Sequence, residues 1–198
     1  VKDILRRFAN DSRIMAWDLY NEPTNTSMPE RSWPLLRKVF QWAREVAPSQ
    51  PITSCLWNGN AELDKFLTEQ SDIITFHCYA NANDTRRTME RMLATGRPVI
   101  CTEWLNRPRQ SLIADILPMF REHRVGSMFW GLVNGKTQTH LPWGHRPEQG
   151  KYTGPWQHDI YHGDHTPYDP EEINLIRNQT ALAKTIYAQP LAEQTIKY

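Results

Sequence analysis

The stretch Ile73-Ile74-Thr75-Phe76-His77-Cys78-Tyr79 has the character of a β-strand that is buried on both faces. Its apolar residues are nearly continuous instead of alternating with polar ones, which is typical of strands inside a parallel sheet. Four other short runs share this character, namely residues 14–19, 52–56, 99–104 and 127–133. Consecutive runs start 38, 21, 26 and 28 residues apart, so each gap has room for a helix.

Helical patterns fill these gaps. Apolar residues recur every three or four positions in the segments 33–47, 60–67, 84–93 and 112–120. We expect Asn60 and Asp84 to cap the second and third of these helices, and Asp169-Pro170 to open a last one. Alternating strands and helices at this spacing predict βα units around a parallel sheet.

A parallel sheet either stays open or closes into a barrel. An open doubly wound sheet would be expected to carry a Gly-rich nucleotide loop, and the sequence has neither GxGxxG nor GxxxxGK[ST]. Polar and acidic residues at the carboxyl ends of the strands suit the rim of a barrel. We therefore predict an α/β fold of the (β/α)8 TIM-barrel type, although only five of the eight strands are recognisable. Residues 1–198 would form one domain, with residues 134–168 as a long loop after the last strand.

Composition excludes several classes of protein. The 198 residues carry 23 basic and 22 acidic side chains, a net charge of +1, which argues against a partner such as nucleic acid or a membrane surface. No apolar run approaches the roughly 18 residues needed to span a bilayer. Three cysteines do not make a disulfide framework. The 8 Trp, 7 Tyr and 7 His residues suit a site for an uncharged polar ligand such as a sugar.

Two carboxylates follow apolar strands directly. Glu22 ends the first run in Asn21-Glu22-Pro23, and Glu103 ends the fourth in Thr102-Glu103-Trp104. Two glutamates that lie close together at the carboxyl end of a barrel are the catalytic pair used in glycoside hydrolysis, one as the acid and one as the nucleophile or base. The alternative is that each acid forms a salt bridge or a cap at the start of a loop.

The ordered set of Asn21-Glu22-Pro23, Glu103 and Trp130 resembles the retaining (β/α)8 glycoside hydrolases of clan A, and most of all the cellulase-like family five and its relatives. The stretch 130–139 is also similar to bacterial sequences labelled as 1,4-β-xylanase-like hydrolases. The resemblance covers strands four to eight of the barrel and a C-terminal helix. It implies that Glu22 is the acid/base and Glu103 the nucleophile, and that Tyr79 hydrogen-bonds the nucleophile with His77 beside it.

The same resemblance implies a sugar-binding surface. Asn21 would bind the sugar 2-hydroxyl, and Trp130 would be the platform beneath the sugar at the cleavage point. Further candidates for substrate contacts are Trp17, Trp57, Trp104, Asn134, His140, Trp143. For Trp57 and Trp104, ordinary packing in the core or at the rim is an equal alternative.

The resemblance lacks strands one to three, which in the family supply an arginine near the nucleophile. Strands four and eight would then have open edges. We expect these edges to be covered by the rest of a longer chain or by a homodimer. The sequence does not fix the compartment, with a secreted or periplasmic one favoured.

The expected function is a retaining glycoside hydrolase that cleaves β-1,4-linked plant polysaccharides. Alternatives are an exo-acting β-glycosidase on oligosaccharides and a carbohydrate-binding half-barrel without catalysis. A third class, a redox or nucleotide-dependent enzyme, is not supported, because the sequence has no Gly-rich phosphate-binding loop. No cofactor is expected, and the cluster of His and Asp at residues 158–165 matches no strong zinc signature.

Overall fold

The computed structural model describes residues 1–187, so the predicted domain over residues 1–198 extends past the described part and stays a prediction. The chain forms two compact units. Among the described residues, the first unit comprises Val1–Cys78 and Arg87–Glu103, and the second comprises Tyr79–Arg86 and residues 104–187.

The described residues contain helices and short strands in alternation, as the spacing predicts. The α-helices are α1 (Lys2–Phe8), α2 (Ser32–Val46), α3 (Ala61–Gln70), α4 (Ala82–Leu93), α5 (Ile113–Glu122) and α6 (Pro170–Tyr187). The strands are β1 (Trp17–Asp18), β2 (Ile52–Thr53), β3 (Ile74–His77), β4 (Val99–Glu103) and β5 (Gly126–Ser127). Among the residues described, none of the helices has the length and apolar character needed to cross a membrane.

The strands of the first unit pair in parallel. Trp17 of β1 lies opposite Ile52 of β2, and Ile74 of β3 lies opposite Val99 of β4. An isolated parallel bridge between Leu56 and Phe76 connects the segment after β2 to β3. The prediction of parallel βα units is therefore confirmed, although β1, β2 and β5 are shorter than the apolar runs that predict them.

Helix α2 supplies much of the core of the first unit. Its buried residues Leu36, Val39, Phe40 and Ala43 recur at intervals of three or four, so they form one apolar stripe along the helix. The helix ends at Val46, and the next residue, Ala47, adopts a left-handed conformation and donates its N–H to the carbonyl of Ala43. Full burial of each large apolar side chain on such a stripe contributes about 1.5–3 kcal/mol.

Two helix starts test the expected caps. At α3 the Asn60 side chain accepts the N–H of Leu63, so this cap is confirmed. At α4 the expected cap Asp84 is wrong, because the helix begins earlier, at Ala82. The side chain of Asn81 instead accepts the N–H of Asp84, and an Asn one residue before the helix is the preferred capping arrangement.

The second unit is organised around a buried ion pair. Arg107 donates from Nε and Nη2 to the Glu172 carboxylate of α6, at 2.9 and 2.5 Å, and also bonds the carbonyls of Trp156 and Asp159. The planar guanidinium forms two parallel hydrogen bonds to the carboxylate. Such bidentate, charge-assisted bonds are stronger than neutral ones. This arginine therefore anchors the end of the long 134–168 loop to α6.

Candidate active site

Glu22, His77 and Glu103 come together at one end of the first unit. Glu22 follows β1, His77 ends β3 and Glu103 ends β4. His77 Nδ1 lies 2.7 Å from Glu22 Oε1 and 3.2 Å from Glu103 Oε2. The pairing of β3 with β4 explains part of this, since a register shift between Phe76 and His77 sets His77 opposite Glu103.

The three side chains are largely shielded from solvent. Side-chain exposure is 3% for His77, 16% for Glu22 and 13% for Glu103. An ionised carboxylate only accepts hydrogen bonds, so a proton on His77 Nδ1 serves whichever of the two acids is ionised. One buried N–H thus lies between two acids that would otherwise repel each other.

The backbone at Glu22 is held in a strained conformation. Its φ of +41° lies in the left-handed region, which costs a residue with a side chain roughly 1–2 kcal/mol. The Glu22 N–H is donated to Cys55 Sγ at 3.1 Å, and Asn25 Nδ2 donates to Glu22 Oε2 at 2.5 Å. These contacts fix both the backbone and the carboxylate of the residue that follows β1.

Burial dominates the electrostatics around this group. It raises the pKa of the Cys55 thiol, which keeps the sulfur neutral and available as an acceptor. It also raises the pKa of Asp18 to about 6, against the lowering effects of the Tyr20 N–H and of His77. Because the Asp18 residue is exposed, water screens its charge, and this pKa has little consequence for stability.

The same three side chains have the composition of a metal-binding group. One ligand atom from each of Glu22, His77 and Glu103 lies within 4.8 Å of the other two. Imidazole nitrogen and carboxylate oxygen are both ligands that zinc accepts.

The other predicted sugar contacts of the first unit are Asn21, Trp17 and Trp57. Asn21 is exposed, whereas both tryptophans are half-buried. The Trp17 indole N–H is donated to Gln50 Oε1 at 3.0 Å, and that of Trp57 to the Pro23 carbonyl at 2.8 Å. Both indole N–H groups therefore serve the scaffold, and Trp57 secures the turn that carries Glu22.

In the second unit the structure brings Tyr79 and Trp143 together. Their rings meet edge to face with centroids 4.9 Å apart, and the ring of the buried His158 lies 5.4 Å from each. The Arg109 guanidinium lies 5.0 Å from the Trp143 ring centroid. Trp143 is 53% exposed and Trp130 is 45% exposed, so both rings are open to a ligand.

Trp104 is corrected to a core residue. It is fully buried, and its ring packs edge-on against Phe120 and Phe129, at centroid distances of 5.6 and 6.2 Å. A ring without exposed surface offers no face to a sugar, so the core-packing alternative holds for it.

Asn134 and His140 lie in the long loop of the second unit. The Asn134 N–H is donated to the Tyr161 carbonyl at 2.8 Å, which ties the start of the loop to its later part. His140 Nδ1 is 3.9 Å from Asp159 Oδ2, and its ring lies against Trp156. Substrate contacts by these two residues stay predictions.

Sequence reasoning missed Asn25 and Cys55 as partners of Glu22. Asn25 follows Glu22 by three positions and donates its backbone N–H to the Glu22 carbonyl, a turn that the Asn-rich segment could have indicated. Cys55 gives no such signal, since a strand cysteine is most simply interpreted as a small apolar residue.

Among solved structures, the chain is similar to β-glucuronidases. It matches the Faecalibacterium prausnitzii enzyme with a TM-score of 0.60 and 13% identity, over 91% of this chain and 34% of that one. It matches the Bacteroides uniformis enzyme with a TM-score of 0.65 and 14% identity, over 91% of this chain and 25% of that one. It matches the Ruminococcus gnavus enzyme with a TM-score of 0.58 and 16% identity, over 90% of this chain and 34% of that one. No family model and no curated protein sequence matches the chain.

At these identities the likeness shows the fold. The chain spans about a third or less of the length of the structures it matches. Its mixed α/β architecture with parallel strand pairs is consistent with part of a glycosidase barrel. The likeness does not single out the cellulase-like family five.

Proposed function

We propose that the protein is a retaining glycoside hydrolase with Glu22 as the acid/base and Glu103 as the nucleophile. The observation that carries this proposal is the meeting of both carboxylates at His77, with one oxygen of each within 4.8 Å of the other. Retaining enzymes hold their two carboxyl groups about 5–5.5 Å apart, whereas inverting enzymes leave about 6.5–9.5 Å for a water. The short separation favours the retaining mechanism.

The reaction would proceed in two displacements. Glu103 attacks the anomeric carbon while the bond to the leaving oxygen breaks, and that oxygen takes the proton of Glu22. In the second step a water gives its proton to Glu22, and its oxygen displaces Glu103 from the anomeric carbon. The His77 N–H between the two groups steadies the carboxylates without needing to transfer a proton.

The proposed substrates are β-1,4-linked plant polysaccharides of the xylan and cellulose type, as the sequence resemblance implies. The similar solved structures act as β-glucuronidases, which makes a β-glucuronide the second substrate class to examine. Exo-acting cleavage of oligosaccharides, in a pocket closed by residues 134–168, is the variant of this proposal. Sugar binding by Asn21, Tyr79, Trp130 and Trp143 belongs to the same proposal.

The test is hydrolysis of aryl β-xyloside, glucoside, mannoside, galactoside and glucuronide, together with xylan, cellulose and mannan. Glu22→Ala should lose far more activity on the natural glycans than on aryl glycosides, since a good leaving group needs little protonation. Glu103→Ala should lose both. Glu62→Ala, at an exposed position in the first turn of α3, is the matched control and should behave as the parent.

Azide distinguishes the two roles further. Added to Glu22→Ala it should restore turnover on activated substrates and give a β-glycosyl azide, because the glycosyl–Glu103 intermediate still forms. With Glu103→Ala it should give the α-anomer. Equal losses for both glutamate variants on every substrate would refute the role assignment. The carbohydrate-binding alternative would instead be established by two results together. The folded parent would bind glycans without cleaving any, and Glu103→Gln would bind them with the same affinity.

A further inference from the structure

The group of Glu22, His77 and Glu103 is equipped for a second ligand besides a sugar. We propose that it binds one Zn²⁺ ion reversibly, and that the bound ion blocks both carboxylates. Binding of the ion stands on the geometry of the first unit alone. The inhibitory consequence rests on the proposed function.

The two distances from His77 Nδ1 are near those of a four-coordinate ion. Two ligands at about 2.1 Å from a tetrahedral Zn²⁺ lie about 3.4 Å from each other. His77 Nδ1 and Glu103 Oε2 are 3.2 Å apart, close to this value. The 2.7 Å between Nδ1 and Glu22 Oε1 must widen by about 0.7 Å, a change within reach of a glutamate side chain.

Charge and shielding favour a cation at this position. Two carboxylates with exposures of 16% and 13% flank one buried imidazole, so their negative charges are only weakly screened by water. A divalent ion would carry enough charge to neutralise both.

The donor set selects the kind of ion. Mg²⁺ and Ca²⁺ prefer sites built from oxygen ligands, whereas this group presents an imidazole nitrogen between its two carboxylates. Zn²⁺ accepts nitrogen and oxygen together at low coordination number. The inference is therefore specific to borderline transition cations, with Zn²⁺ as the physiological example.

Binding exchanges a proton for the ion. The Nδ1–H bond of His77 breaks, the proton leaves to solvent, and the freed nitrogen lone pair binds Zn²⁺. Glu22 and Glu103 each turn one oxygen from His77 to the ion. No oxidant or reductant takes part.

The experiment is calorimetric titration of the full chain with Zn²⁺ in the absence of any substrate, with Co²⁺ as a spectroscopic substitute. We expect one saturable site per chain and a visible Co²⁺ absorption stronger than that of the hydrated ion. Glu22→Gln and Glu103→Gln keep the shape of the side chains and should each weaken Zn²⁺ binding by at least about tenfold. His77→Phe should abolish the Co²⁺ band.

The matched control is His165→Asn. His165 is an exposed histidine with φ of +68°, a conformation that Asn adopts readily, so this variant removes a surface imidazole without backbone strain. Unchanged binding in this control, with loss in the glutamate variants, supports the site. Absence of saturable binding in the parent, or equal affinity in the parent and both glutamate variants, overturns the proposal.

Activity measurements separate the two proposals. Where hydrolysis is found, Zn²⁺ should raise the apparent KM and leave kcat unchanged, since ion and sugar compete for the same carboxylates. A chain that binds Zn²⁺ at this group and hydrolyses nothing refutes the proposed function alone. A chain whose kcat/KM for glycosides is unchanged by saturating Zn²⁺ refutes the inhibitory consequence alone.

Discussion

Replacing His77 by Phe would remove the donor between the two glutamates and keep a ring of similar size in the same buried place. Side-chain exposure at this position is only 3%, so no water can simply take over the hydrogen bond. The variant is therefore expected to unfold more easily than the parent.

The magnitude follows from the separation of the carboxylates. Two unit charges 4.8 Å apart, the upper limit for their ligand oxygens, repel by about 3.5 kcal/mol at an effective dielectric constant of 20. Breaking a buried ion pair by removing one partner costs a similar amount, about 3–5 kcal/mol. We expect the free energy of unfolding to fall by about 3 kcal/mol at pH 7.

The loss should depend on pH in a defined direction. Acid that protonates either carboxylate ends the repulsion between the two. The difference between parent and variant should then shrink to less than about 1 kcal/mol. The assay is urea unfolding of both proteins at pH 7 and pH 4, followed by far-UV circular dichroism.

Thr75→Val is the control for this series. Thr75 lies in the same strand, is buried, and shares a hydrogen bond of 2.9 Å with Thr53. Its loss should cost about 1 kcal/mol at either pH, because no charge is involved. An equally large loss for His77→Phe at both pH values would refute the electrostatic reasoning and assign the effect to packing.

Two further predictions concern single contacts. Cys55→Val removes the acceptor of the Glu22 N–H, worth about 1 kcal/mol, and should slow cleavage of glycosides with poor leaving groups about fivefold. Burial lowers the pKa of His158, whose Nδ1 lies 2.5 Å from the Leu105 carbonyl, so the folded state keeps this ring neutral. The neutral His158 ring contributes fully to stability above the pKa of a histidine in the unfolded chain, which is near 6.5. This contribution is lost as the pH falls below that value. The slope of unfolding free energy against pH should be reduced in His158→Asn by at most about 1.4 kcal/mol per pH unit.

Each of these has its own contradicting result. Cys55→Ser retains an acceptor atom, so its activity should exceed that of the Val variant, and the reverse order would reject Cys55 as a positioning residue. Glycosides with good leaving groups should be affected less, as for any loss that acts through Glu22. For His158, identical pH slopes in the parent and the Asn variant would show that the ring does not remain neutral in the folded state.

The apolar runs and the carboxylates at their ends could be predicted from the sequence. Strands buried on both faces read as continuous apolar segments, and parallel strands present their carboxyl ends at one edge. That is why Glu22 and Glu103 could be paired although 80 intervening residues separate them. Asn60 was equally predictable, because a helix cap depends only on the residues next to it.

Tertiary structure alone decided how these groups contact each other. The placement of His77 between the glutamates depends on a register shift after Phe76, and the support of Glu22 by Cys55 depends on strands whose contacting residues are 33 positions apart. Burial of Trp104 likewise depends on side chains from other segments. Periodicity determines which face of an element is apolar, whereas register, bulges and packing partners are set by long-range contacts that no local pattern encodes.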